Sequence, residues 1–84
     1  MDEKTLRALV EAGAVKRVRI VAEGASLHVE ADTAGGTSVA STTKGAVKTW
    51  TSLDAAARWV RGVGIGALQV DIARWQSAQR ALKL

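Results

Sequence analysis

The clearest pattern lies in VKRVRIVAEGASLHVEAD, residues 15 to 32. Val18, Ile20 and Ala22 alternate with Arg17, Arg19 and Val21. Ala25, Leu27, Val29 and Ala31 alternate with Ser26, His28, Glu30 and Asp32. A period of two over this length predicts two half-buried strands. Glu23-Gly24 between them is the predicted two-residue turn. That turn sets Ala22 opposite Ala25, Ile20 opposite Leu27 and Val18 opposite Val29. On the other face it sets Arg19 opposite His28 and Arg17 opposite Glu30. One face is then apolar and the other wet, as in an antiparallel sheet.

Two further segments carry helical spacing. Asp2 is an N-cap residue, Leu6, Leu9 and Val10 form a narrow apolar stripe, and Gly13 stands where a left-handed C-cap belongs. Ser52 caps a second helix with Asp54 in its first turn, and Leu53, Ala56, Ala57 and Val60 make its stripe. Gly62, Gly64 and Gly66 end it.

The remaining segments are weaker. Thr37 to Thr43 and Ala46 to Thr51 read as a second hairpin around Lys44-Gly45. Val39 and Trp50 face one way there and Val47 the other, so alternation leaves open which face is buried. Ala67 to Ile72 alternates as a fifth strand, and a last helix follows from about Ile72 to Leu82, with Ile72, Trp75 and Leu82 on one face. The predicted order is α-β-β-β-β-α-β-α. This is an α+β fold: one domain over 1–84, a small antiparallel sheet of four to five strands, and helices on one face.

Composition changes this picture in one respect. The chain has 84 residues, no Cys, one His and sixteen Ala. A core this small is often reinforced by disulfides, metals or association. Without Cys and with His28 alone, disulfides and a zinc site drop out, and a homodimer is expected. No cofactor or metal is expected either. The start MDEKTLRALV is charged where a signal peptide is apolar. No run approaches the ~20 apolar residues of a membrane span. A cytoplasmic protein off the membrane is the expectation.

Charge is uneven. Residues 1–32 carry five basic and six acidic side chains, and residues 33–84 carry seven and two. The basic half also holds all three Trp of a chain without Tyr or Phe. Lys44, Lys48, Arg58, Trp59, Arg61 and Arg74 therefore form the candidate nucleic-acid set, since cations beside aromatic platforms suit single strands and cations alone suit duplexes. Each Trp also has a use as core in a chain of Ala and Val. Trp59, at the edge of its helix stripe, is the one expected to face solvent.

Enzyme chemistry finds little footing. GVGIG at 62 to 66 follows a helix and precedes a strand, the reverse of a dinucleotide loop. His28, Glu30 and Arg17 sit on a wet strand face with no nucleophile fixed nearby. Asp54 and Asp71 read as helix caps, and Ser41, Thr42 and Thr43 lack an adjacent base.

GAVKTWTSLDAAARWVRGVGIGALQVDIARW, residues 45 to 75, resembles the small ParC-type, partition-associated proteins encoded on bacterial plasmids and integrative elements. The start LRALVEAGAVKRVRIV is similar to theirs as well. Their RG-V-x-x-(aromatic)-x-(S/T)-LDAAAR-(aromatic) stretch corresponds to Lys44 to Val47, Trp50, Ser52 to Arg58 and Trp59. Their LGI and VD-x-x-x-(aromatic) end corresponds to Gly64-Ile65, Val70-Asp71 and Trp75. Lys44 stands where Arg is usual. The resemblance implies a plasmid or mobile-element context and no active site. The expected function is thus a non-enzymatic, partition-associated accessory protein that binds nucleic acid through its basic C-terminal half. The alternative is a protein-interaction adaptor that dimerises and docks on a partner protein.

Overall fold

The computed structural model describes residues 1–76. It is an α+β domain with a four-stranded sheet in the order β3-β2-β1-β4 and two helices. The elements are α1 (Glu3–Glu11), β1 (Val15–Gly24), β2 (Ser26–Thr33), β3 (Gly36–Val39), α2 (Leu53–Gly62) and β4 (Gln69–Trp75). Both helices begin as their caps direct. Asp2 accepts from Thr5 N–H at 2.9 Å, and Ser52 Oγ accepts from Ala55 N–H at 3.1 Å.

The alternation on β1 and β2 places the core. Val18, Ile20 and Ala22 with Leu27, Val29 and Ala31 form the covered face of the sheet. Leu6 of α1 and Ala56 and Val60 of α2 pack on that face, joined by Val63 just past α2. Leu53, the first residue of the predicted stripe, is exposed instead. Its place in the opening turn carries it beyond the edge of the sheet contact.

The predicted hairpin register is corrected by two residues. Ala22 lies opposite Leu27, Ile20 opposite Val29, Arg19 opposite Glu30 and Arg17 opposite Asp32. The loop is Gly24-Ala25, not Glu23-Gly24. Gly24 has φ +63°, and no residue other than glycine has positive φ among the described residues. A glycine with positive φ at the first of two loop positions, followed by a residue of negative φ, matches a II′ hairpin. An Asx-Gly-type I′ turn would need positive φ at Glu23 too. Because the slip is two residues, every side chain keeps its face.

The second predicted hairpin shrinks. β3 pairs with β2, Glu30 opposite Val39. Beyond it the chain makes a tight turn at Thr42–Gly45, where Gly45 N–H donates to Thr42 C=O at 3.0 Å. Instead of a strand over 46–51 there are isolated bridges, Ser41 with Val47 and Leu27 with Trp50. Trp50 thus lies on the covered face beside Leu27, and Val47 is exposed. Small side chains from Gly36 to Ala46 bury too little to hold a long ladder.

The far end differs most. β4 runs parallel to β1, with Ile20 opposite Val70, so the sheet is mixed and not antiparallel. A parallel neighbour needs a long connection, and α2 lies within it. β4 continues to Trp75, where a helix from Ile72 was expected. The rest of that predicted helix falls outside the described residues.

Candidate functional site

The six basic and aromatic candidates divide into separate groups. Lys44 projects from the Thr42–Gly45 turn and is exposed. Lys48 is half-buried, its Nζ 5.4 Å from the centre of the Trp50 ring. That ring meets Trp59 with centroids 5.3 Å apart and planes tilted by 53°. Both Trp are half-buried against the core. Trp59, expected at the surface, is therefore largely a packing residue. The exposed indole is Trp75, on β4.

The Trp pair carries a carboxylate that sequence reasoning missed. Trp59 Nε1 donates to Glu3 Oε1 at 3.2 Å, and Arg7 Nη2 donates to Glu3 Oε2 at 2.7 Å. Arg7 also donates through Nη1 to Gly62 C=O at 2.8 Å, tying α1 to the end of α2. The Arg7 hydrogen bond, then that of Trp59, holds the Glu3 carboxyl below the usual range. Glu3 reads in sequence only as an acid in a first helical turn. No spacing rule links it to a Trp 56 positions away. An ionised carboxylate beside the aromatic platform opposes a phosphate backbone.

The remaining candidates do not join this cluster. Arg58 pairs with Asp54, one helical turn earlier. Arg61 sits in the last turn of α2, where a cation suits the helix dipole. Arg74 pairs with Glu23 at 2.7 Å. Glu23 is on the face of the sheet away from the helices, so Arg74 points away from Lys48 and Trp50. It is also on β4, the edge strand opposite β3. Among the described residues, no carboxylate lies within ion-pairing distance of Lys44, Lys48 or Arg61.

The polar face of the hairpin is a closed network. Arg19 donates to Glu30 Oε1 at 3.0 Å and to Asp32 Oδ2 at 2.9 Å. His28 Nε2 meets Glu30 Oε2 at 2.8 Å, and Thr37 Oγ1 donates to Asp32 Oδ1 at 2.7 Å. Arg19 takes the place that the register slip denies Arg17. The His28 hydrogen bond, with Arg19, lowers the Glu30 carboxyl, and Arg19 with Thr37 lowers that of Asp32. Each carboxylate is committed to partners, which leaves neither poised as a general base.

A cavity of about 220 Å³ is lined by Val10, Val15, Lys16, Arg17, Val18 and Ile65, among others. It is smaller than the ~300–1,000 Å³ of most small-molecule sites, and no Ser, Thr, Cys, His or carboxylate lines it. Among the described residues there is no cluster of three or more His, Cys, Asp or Glu suited to a metal. No helix among them is long and apolar enough to cross a membrane.

The most distinctive surface lies elsewhere. Every residue of β4 is exposed, and Val70, Ile72 and Trp75 are three of the five exposed large apolar side chains among the described residues. No family model, curated protein or solved structure matches the chain.

Proposed function

We propose that this chain is a non-enzymatic accessory protein of a plasmid or mobile element, partition-associated in kind, that works as a protein-interaction module. The observation that carries the reading is β4: an edge strand exposed along its length and bearing Val70, Ile72 and Trp75. Large apolar side chains exposed along one edge strand favour a macromolecular partner. The resemblance of residues 45 to 75 to ParC-type proteins supports the genetic context.

Nucleic-acid binding is the second reading, and a specific observation keeps it. Among the described residues Lys44, Lys48 and Arg61 form no ion pair, on a chain of net charge +4, although Lys48 is close enough to Glu3 to favour its ionised form. The scatter of the six candidates and the presence of Glu3 count against it.

One titration separates the two. Fluorescence anisotropy of labelled single- and double-stranded DNA, at about 50 mM and 200 mM salt, measures a phosphate-driven contact by its steep salt dependence. The interaction reading expects no binding by the full chain at low salt. Tight binding that collapses with salt, and that Lys44→Glu with Lys48→Glu and Arg61→Glu abolishes, would sink it in favour of the nucleic-acid reading.

A further inference from the structure

Resting on the interaction reading, we propose that the occupant of the β4 edge is a second copy of this chain, paired antiparallel with β4 of the first in one defined register. The inference comes from the irregularity in β4. Val21 pairs with Asp71 and Glu23 with Arg74, so two residues of β4, Ile72 and Ala73, span the step that Ala22 alone makes on β1. Opposed residues in a sheet share a face. Asp71 and Arg74 therefore lie together on the face with Val21 and Glu23. Val70 and Trp75 lie together on the covered face, with Ile20 and Gly24. Without the bulge, residues three or five apart would fall on opposite faces.

That spacing makes β4 complementary to itself. A two-fold axis normal to the sheet, passing between Ile72 and Ala73, sets each Asp71 against Arg74 of the other copy. It sets each Val70 against Trp75. Both contacts occur twice, as a symmetric interface requires. The backbone agrees. Gln76 N–H donates to Gly24 C=O at 2.7 Å, so by alternation the N–H and C=O of Trp75 point to the open edge. The same alternation, carried along β1 from its two-residue loop, turns Ile20 towards β4 and leaves Val70 pointing outwards. Val70 and Trp75 thus offer each other main-chain partners.

The groups already in use do not block the pairing. Asp71 Oδ1 accepts from Ala73 N–H at 3.0 Å, which satisfies the donor the bulge displaces at the axis and leaves Oδ2. Arg74 uses Nη2 on Glu23 and keeps its other guanidinium nitrogens. A charge and a bulge on an edge strand are also how proteins keep edges apart. What distinguishes β4 is that the charges are of opposite sign and, in this register, meet. A seven-residue strand pair is a small interface, so association in the micromolar range is expected.

The test is sedimentation velocity on the full chain from about 1 µM to 1 mM, with wild type and the variants Asp71→Lys and Arg74→Asp. Each variant alone faces like charge twice across the axis and should dimerise about tenfold more weakly. Mixed in equal amounts they regain both opposite-charge contacts, and a heterodimer of near wild-type affinity should form. Circular dichroism checks that both variants fold. A second measurement needs no charge change. The chain has no Cys, so Val70→Cys mixed with Trp75→Cys should cross-link on mild oxidation, far faster than either alone. Dimerisation that the charge variants leave unchanged, or equal cross-linking of each Cys variant with itself, overturns the register. A chain that stays monomeric to 1 mM overturns the second copy as occupant. It leaves the interaction reading standing, because that reading falls to salt-dependent DNA binding, a separate measurement.

Discussion

The β1–β2 hairpin and β4 are made of similar material and meet opposite fates. Both alternate apolar with polar residues. In the hairpin the apolar set is sealed, with Ile20 and Val29 at 0% exposure. On β4 the apolar set faces solvent, with Ile72 at 52%. The difference is position in the sheet. β1 has neighbours on both edges and two helices over one face. Among the described residues β4 is the last strand, beyond the reach of α1 and α2. Periodicity makes a strand and assigns its faces, while the order of strands assigns its burial.

Several substitutions sharpen that contrast. The largest effect is expected for Ile20→Ala, which opens a cavity in a fully covered site and should cost about 2–5 kcal/mol in urea unfolding. Next is the hairpin loop. Gly24 has φ +63° and nothing within 4 Å of where a Cβ would stand. Gly24→Ala therefore meets backbone strain alone, about 1–2 kcal/mol. A smaller loss, or none, would mean that the loop adopts some other turn.

Acid should act on the hairpin network. Glu30 and Asp32 have lowered carboxyl pKa values in the folded state, chiefly through His28 for Glu30 and Arg19 for Asp32. A group lowered on folding contributes stability above its unfolded pKa. That contribution fades as pH falls through the folded value. Wild type should thus lose stability from about pH 5 down to pH 3, and Arg19→Ala should lose less over the same span. Identical slopes for the two proteins would show that Arg19 adds nothing to the network. The smallest effect is expected at Ile72→Ala. The residue type and substitution match those at Ile20, yet the monomer should change by less than about 0.5 kcal/mol because Ile72 is already half in water. The ratio of the two Ile→Ala costs measures the contrast directly.

How much of this was legible depended on whether a signal was local. The helix caps at Asp2 and Ser52 and the faces of β1 and β2 were readable, because each follows from neighbours a few positions away. The hairpin register was not, since a two-residue slip preserves every face and only the φ of Gly24 separates the options. The parallel pairing of β4 needed knowledge of which sheet edge was still open, a property of the whole chain. The candidate site suffered similarly. Lys48 lies two positions from Trp50, so their contact follows from nearness in sequence. Arg74 was not separable from it by sequence, because the fold carries it to the other edge and face. Glu3 could not be found at all, its partner Trp59 being supplied by α2.

The three Trp have an optical consequence. With no Tyr or Phe in the chain, they alone produce its near-ultraviolet spectrum. Trp50 and Trp59, 5.3 Å apart and tilted by 53°, are close enough for their excited states to couple. Such coupling gives a paired positive and negative band in circular dichroism that only the assembled α2–Trp50 contact can generate. Trp75, exposed on β4, should emit at long wavelength and be quenched readily by iodide. Light absorbed by one molecule therefore reports on two of its regions through separate channels, without any attached label.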